Sequence, residues 1–211
     1  MFKHLILIAS VVGFSANASN SSVDILTSLP ATQMIVGQLV KDTELSAQNI
    51  APARYGFERL PNWYDSQGSE KIEAVSKHAK VVVSMTSIWE EDPLFVHARA
   101  HNISIINVDA GQALTPNGLS VATLNSNKGI SPFVWLSTAN LMRMTEIIGD
   151  DLKRIWPEHD VKLSENQGNL LTELKQLNAS QQKQLFEANV DSVIILDKAS
   201  KTSLVRMTST Y

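Results

Sequence analysis

Two histidines near the middle of the chain have the spacing of a metal-binding pair. His97 and His101 are four residues apart on a helix predicted at residues 90–101, so their imidazole rings share one face of it. Such a pair can hold Zn²⁺, but it lacks the Glu that follows the first His in helical zinc proteases. The alternative is two solvent-facing histidines near a helix C-terminus, where positive charge suits the helix dipole. We favour this alternative and keep the pair as a candidate metal site.

The remaining polar residues form no catalytic pattern. The acidic run Glu90-Glu91-Asp92 precedes a predicted helix, where carboxylates suit the dipole, so it is predicted to be a cap rather than a metal site. The sequence contains no Ser-His-Asp elbow and no paired catalytic carboxylates. Its nine Gly residues never form a phosphate-binding G-x-G-x-x-G motif. These absences favour a binding protein over an enzyme.

Aromatic residues are concentrated in a stretch predicted to be irregular, residues 51–69 (APARYGFERLPNWYDSQGS). Two interpretations of Phe57, Trp63 and Tyr64 stay open. The rings either form a recognition surface on an exposed segment or fold back over the edge of a sheet.

Strands and helices alternate along the first part of the chain. The apolar runs at residues 81–85 and 103–108 have the signature of strands buried on both faces of a parallel sheet. Further strands are predicted at 23–29 and 45–50, and helices at 31–40, 70–78 and 90–101. This alternation implies βαβ units and a parallel sheet covered by helices, followed by a long polar loop at 110–130.

The segment 131–155 (SPFVWLSTANLMRMTEIIGDDLKRI) predicts an amphipathic helix that is entered through a tight, aromatic-bearing loop. Ser137 or Thr138 can cap the helix, Asp150 and Asp151 are expected to face outward, and Pro157 ends the run. Apolar residues recur at helical spacing, namely Leu141, Met144, Ile147, Ile148, Leu152 and Ile155.

A second, longer helix is predicted at 158–188, spanning about 45 Å at 1.5 Å per residue if it is continuous. Ser180 could equally cap a new helix, so a break near 178–180 stays open. A strand at 193–196 and a helix at 201–209 complete the predicted elements.

The loop before the amphipathic helix resembles the segment Asn-Pro-His-Val-Trp-Leu-Ser/Asp-Pro-x-Asn-Ala of the zinc/manganese-type periplasmic solute-binding proteins of ABC importers. The matching residues are Pro132, Val134, Trp135, Leu136, Ser137 and Asn140. The order of elements is also similar along nearly the whole mature sequence. The resemblance implies two α/β lobes joined by a long rigid helix, with Zn²⁺ or Mn²⁺ bound in the cleft between them. It also implies an ABC permease in the inner membrane as the partner.

The resemblance places three residues of this chain at the family's metal-ligand positions. Phe133 and Tyr55 stand where the family has His, and Asp197, after the strand at 193–196, falls at the third position. A buried zinc site needs three or four donor atoms, whereas Phe133 donates none and a Tyr phenol is a poor ligand. We therefore expect the family's metal site to be absent. Tyr55 and Phe133 then either suit an organic or apolar partner or are packing residues.

The predicted organisation is an α/β lobe at 19–157 with a parallel sheet covered by helices, a long linking helix at 158–188, and an incomplete second α/β lobe at 189–211. That last part contains one strand and one helix, which cannot bury a core of their own. Two explanations stay open: a truncated reading frame, or a derivative with one lobe.

Residues 1–18 are predicted to be a secretory signal peptide. Lys3 and His4 precede an apolar core at 5–14, and Ala16-Asn17-Ala18 fits the small-x-small cleavage rule. The sequence has no Cys, which excludes disulfides, thiolate zinc sites and a lipoprotein anchor. A net charge of −3 on 211 residues gives no reason to expect nucleic acid. These features predict a periplasmic protein without a stable membrane anchor.

Two functions follow from these observations. The first is an exported solute-binding component of a zinc/manganese-type ABC importer whose usual His ligands are replaced. The second is a periplasmic docking module that binds a protein or organic partner and no metal.

Overall fold

The computed structural model describes residues 23–115, 117–123, 125–126 and 129–190. Four strands, β1 Ile25–Thr27, β2 Ala47–Asn49, β3 Val81–Ser84 and β4 Ile106–Asp109, form a parallel sheet in the order β2-β1-β3-β4. Its central strand β3 is fully buried at Val81, Val82 and Val83, as expected of a strand covered on both faces. The predicted parallel sheet covered by helices is confirmed.

In the described residues six α-helices accompany the sheet and form two groups. One group is α1 Pro30–Leu39, α5 Thr138–Ile155 and α6 Asp160–Glu187, which contact one another. The other is α2 Leu60–Asp65, α3 Ser69–Ser76 and α4 Leu94–His101. A short antiparallel hairpin, β5 Asn125–Ser126 and β6 Gly129–Ile130, lies within the segment predicted to be a polar loop.

The prediction that residues 51–69 are irregular is wrong in its second half. A 3₁₀ turn at Phe57–Arg59 leads directly into α2. Pro61 lies in the first turn of α2, where a missing N–H is tolerated. Trp63 and Tyr64 are buried, so packing supplies the reason for this short helix to form.

Helix α5 follows its apolar spacing, since Met144, Ile147, Ile148 and Leu152 are all buried. It begins after Ser137, although no side-chain hydrogen bond caps it. The prediction that Asp151 faces outward is wrong, because this side chain is fully buried. Its carboxylate accepts a hydrogen bond from Arg154 Nη1 at 2.8 Å. Burial raises the pKa of Asp151 despite the nearby guanidinium.

Helix α6 is continuous, so the alternative of a break near residues 178–180 is excluded. Its first half packs on helices α1 and α5, and the side chains of Leu163, Leu170 and Leu174 are buried. Farther along the helix, Leu177 and Phe186 are exposed.

The predicted signal peptide at 1–18, the strand at 193–196, Asp197 and the helix at 201–209 lie outside the described residues. No helix in the described part of the chain combines the length and the apolar character needed to cross a membrane.

Candidate functional site

A cavity of about 210 Å³ lies at the carboxyl edge of the parallel sheet. This is the edge where α/β folds bind ligands, because loops of variable sequence meet there. The loop after β1 contributes Ser28, and β2 contributes its last residue, Asn49. Four aromatic side chains from two separate loops form much of the wall, namely Tyr55, Phe57, Phe133 and Trp135. The structure thus brings Tyr55 and Phe133, two of the candidate site residues, to one cavity.

The aromatic rings of the wall support one another in edge-to-face contacts. Phe57 and Phe133 have ring centroids 5.0 Å apart at an interplanar angle of 87°, and Phe133 and Trp135 are 5.5 Å apart at 64°. Phe57 also meets Trp89 edge-on at 5.6 Å. Each such pair contributes about 0.5–1.5 kcal/mol beyond its buried area. The rings therefore form a mutually supported wall.

Asn140 fixes the turn that carries Phe133 and Trp135. Its Nδ2 donates hydrogen bonds to the carbonyls of Val134, at 3.0 Å, and Ala122, at 2.9 Å. Its Oδ1 accepts from the N–H of Ala122 at 3.0 Å. The first turn of α5 is thereby tied to the aromatic loop, which explains how the motif at 131–140 holds its rings in place.

The phenol oxygen of Tyr55 interacts with neighbouring side chains. Its phenol donates to Gln67 Oε1 at 3.0 Å, and the Arg54 guanidinium lies 5.1 Å from the centre of the ring. Arg54 Nη2 also lies 3.5 Å from the phenol oxygen. Tyr55 is therefore positioned as an aromatic wall with a hydrogen-bonded tip.

Below the cavity, the buried carboxylate of Asp92 connects three elements. It accepts hydrogen bonds from the Ser28 hydroxyl at 2.9 Å, the Met85 N–H at 2.9 Å and the Leu94 N–H at 3.2 Å. Burial raises the pKa of Asp92, although these three hydrogen bonds oppose the shift. The helix predicted at 90–101 is wrong at its start, because α4 begins only at Leu94 with Pro93 at the N-cap position, and Asp92 is the one residue of the acidic run that accepts a hydrogen bond from its first N–H.

One polar atom at the cavity has no partner. Asn49 Oδ1 is buried and accepts no hydrogen bond from any residue that the structure describes. A buried acceptor left without a donor costs about 1–3 kcal/mol. Asn49 therefore carries an unused hydrogen-bonding capacity beside the aromatic wall.

The donor atoms at the cavity do not fit a divalent metal. Among the described lining residues, side-chain oxygen atoms come only from Asn49, Tyr55 and Ser28, and the last two are hydrogen bonded elsewhere. No group of three or more His, Asp or Glu side chains that could hold a metal occurs within the described ranges. A zinc site needs three or four converging donors.

The two histidines of α4 have separate partners. His97 Nε2 lies 3.2 Å from Asp65 Oδ1, and its ring lies 5.6 Å from that of Tyr64. His101 is exposed and helps to lower the pKa of Glu73, after the larger effect of the hydrogen bond from Lys77. His97 is thus a packed side chain beside a carboxylate rather than a solvent-facing one, so the favoured prediction of two solvent-facing histidines is wrong for His97.

The aromatic residues of 51–69 lie in two different environments. Trp63 and Tyr64 fold inward and are buried, whereas Phe57 is half-buried and reaches the cavity.

The sequence interpretation missed Asn49 and Trp89. A polar residue at the end of a short strand in a parallel sheet was the available signal for Asn49, because ligands bind at that edge.

A family profile for ZnuA, the periplasmic component A of a zinc-uptake complex, matches residues 40–200. No curated protein sequence is significantly similar to the chain. The fold is similar to that in the crystal structure of ZnuA, with a TM-score of 0.66 and 20% identity, over 88% of this chain and 67% of the other.

Two further solved structures are similar in fold. FpvC from Pseudomonas aeruginosa, in complex with Ni²⁺, gives a TM-score of 0.61 at 18% identity, over 88% of this chain and 63% of FpvC. The Zn(II)-bound ZnuA-like domain of Streptococcus pneumoniae AdcA gives 0.64 at 16% identity, over 86% of this chain and 62% of that domain. The chain thus spans about two thirds or less of the length of these structures.

Proposed function

The chain belongs to the ZnuA family of periplasmic zinc-uptake components, and we propose that it acts as an exported solute-binding component that delivers its cargo to an ABC permease in the inner membrane. The observation that carries this proposal is the family match over residues 40–200, which includes both aromatic loops of the cavity. The cavity at the ligand-binding edge of the sheet supports it. In this proposal residues 1–18 are the signal peptide and are removed on export.

The proposed chain has three working parts. Residues 19–157 form the binding lobe, 158–188 the linking helix, and 189–211 the part that corresponds to a second lobe. Support comes from the packing of α6, which is anchored on the lobe by its first half and leaves Leu177 and Phe186 exposed in its second half.

The family's metal site is replaced in this proposal. Tyr55 and Phe133 take the positions of two His ligands, and Asp197 takes a third. The shortage of free donor atoms at the cavity supports this assignment. The cargo of this cavity is then not a bare Zn²⁺ or Mn²⁺ ion.

Restoring the ligands tests the assignment. A variant with both Tyr55→His and Phe133→His should gain affinity for Zn²⁺, because two imidazoles would then face the same cavity. Thermal melts of the exported chain, after stripping with a chelator, should show no shift for the wild type with Zn²⁺ or Mn²⁺. At a hundredfold excess over its dissociation constant, bound metal would stabilise the variant by roughly 2.7 kcal/mol. A wild-type shift that disappears with Asp197→Asn would contradict the replacement.

Delivery to a permease is tested separately. The exported protein should raise ATP hydrolysis by the reconstituted zinc-uptake permease and ATPase of the same cell. Lys162→Glu changes a side chain on α6. Comparing ATP hydrolysis with this variant and with the wild type tests whether stimulation needs a specific surface or only added protein. If hydrolysis is unchanged at saturating protein, the carrier proposal fails and the docking module becomes the better account.

A further inference from the structure

We propose that the cavity at the carboxyl edge of the sheet binds a small, uncharged aromatic molecule that carries one hydrogen-bond donor, with its ring among the aromatic walls and its donor on Asn49 Oδ1. The inference rests on the proposed function, because it names the class of cargo for the same site.

The size of the cavity sets the size of the ligand. A cavity of about 150 Å³ with apolar walls binds benzene. The cavity described above has about 210 Å³, which suits one substituted ring or two fused rings. Larger solutes, such as peptides or metal chelates with several rings, would extend beyond this volume.

The walls select an aromatic ligand. Phe133 contacts both Phe57 and Trp135 edge to face, and all three side chains are half-buried at the cavity. A flat ring entering the cavity, which Tyr55 also lines, would extend this arrangement. It would also remove from water the ring surface that these side chains leave exposed.

The electrostatics of the cavity favour a neutral molecule. None of the lining residues that the structure describes is charged, so a charged ligand would lose its hydration without gaining an ionic partner. The negative faces of the aromatic rings oppose an anion. The N-terminus of α1, with Leu29 and Pro30 at the cavity, opposes a cation.

Asn49 supplies the polar selectivity. Its Oδ1 is one of a few buried side-chain atoms without a partner in the described part of the chain, and it belongs to a residue that lines the cavity. This oxygen is closed off from solvent in the structure, so a ligand N–H or O–H would satisfy it after the Asn49 side chain rotates towards the cavity. A ligand of the same shape without a donor would leave it unpaired.

The test compares two fused-ring probes that differ in this one group. Indole carries an N–H and indene does not. Isothermal titration of the full exported chain should give one saturable site for indole and at least tenfold weaker binding of indene. Asn49→Leu should remove this preference, so that the two probes bind alike.

Gly56 offers a way to reduce the cavity without touching Asn49. It lines the cavity, and a Cβ at this position meets nothing within 4 Å. Gly56→Leu should weaken both probes at least tenfold. Gly37→Leu is the matched control, since a Cβ on this exposed residue of α1 also meets nothing within 4 Å. It should leave binding of both probes unchanged.

Equal affinity for indole and indene in the wild type would overturn the inference, as would the absence of saturable binding of either probe. Stimulation of the permease ATPase without probe binding would overturn the ligand assignment alone. Probe binding without stimulation of the ATPase would instead overturn the carrier function and leave the site assignment standing.

Discussion

Two amides, Asn166 in the layer of helices α1, α5 and α6 and Asn49 at the cavity, differ in their hydrogen bonds. In the helical layer, Asn166 Nδ2 donates to the carbonyls of Leu39 at 2.8 Å and Lys41 at 2.7 Å, which lie at the C-terminal end of α1. At the cavity, Asn49 Oδ1 is buried but has no partner among the described residues. Asn166 thus completes the hydrogen bonds of its neighbours, whereas Asn49 keeps an acceptor that no described residue uses.

Replacing Asn by Leu at position 166 and at position 49 should give the largest difference in the free energy of unfolding. Asn166→Leu should lower the free energy of unfolding by about 2–3 kcal/mol, because a buried and a partly buried carbonyl both lose their donor. Asn49→Leu should leave it unchanged or raise it by up to about 1–3 kcal/mol, since Oδ1 has no hydrogen bond to lose and is costly to bury unpaired. Urea unfolding of both variants, followed by circular dichroism, measures the two values. A loss at Asn49 as large as that at Asn166 would mean that Asn49 is structural.

A smaller difference is expected from two glycines in the helical layer. A Cβ at Gly149 of α5 would lie 2.7 Å from Gln167 Nε2 and 2.8 Å from its Cδ. Gln167 has little freedom to move, because its amide donates to the carbonyl of Glu146 and accepts from Lys153 Nζ. Gly149→Ala should therefore destabilise the protein by about 1–2 kcal/mol, even though Ala is the better helix former.

Gly168 is the matched control for this prediction. It lies on α6, one residue from Gln167, and a Cβ there meets nothing within 4 Å. Gly168→Ala should stabilise the protein by about 0.5–1 kcal/mol through helix propensity alone. Thermal melts compare the pair. If Gly149→Ala is as stabilising as Gly168→Ala, the contact between α5 and α6 is looser than the structure indicates.

The sequence predicted the helical layer better than the cavity, for a physical reason. Apolar spacing specifies which face of a helix is buried, so the bounds and the apolar face of α5 follow from its sequence. The apolar spacing predicts that Asp151 is exposed, which is wrong. Its burial depends on contacts with Arg154 and with the N–H of Leu114, which lies in a loop distant in sequence. Burial of this carboxylate is thus a property of the tertiary fold.

The cavity depends on residues that no local pattern connects. Tyr55 and Phe133 were placed together in the sequence analysis through the family resemblance alone, and both line the cavity in the structure. The missing partner of Asn49 requires coordinates, because any donor nearby would have satisfied it. Helix α2 was missed since Pro61 and the flanking glycines are typical of irregular segments as well as of helix starts.

The smallest expected effect concerns pH and the carboxylate of Asp92 beneath the cavity. Its folded-state pKa is raised by burial, so the folded state binds its proton at a higher pH than the unfolded state does. In that window the contribution of Asp92 to stability falls as pH rises, and it is recovered as pH falls towards the ordinary carboxylate range. Asp92→Asn removes the titration while keeping an oxygen that can accept hydrogen bonds.

The free energy of unfolding of the wild type, relative to that of Asp92→Asn, should therefore increase between pH 7 and pH 4. Urea unfolding at several pH values measures it. An opposite slope would mean that the hydrogen bonds from Ser28, Met85 and Leu94 outweigh burial, and that Asp92 is held ionised beneath the cavity. A buried negative charge there would favour a cation, so the sign of this slope also tests the neutral ligand inferred above.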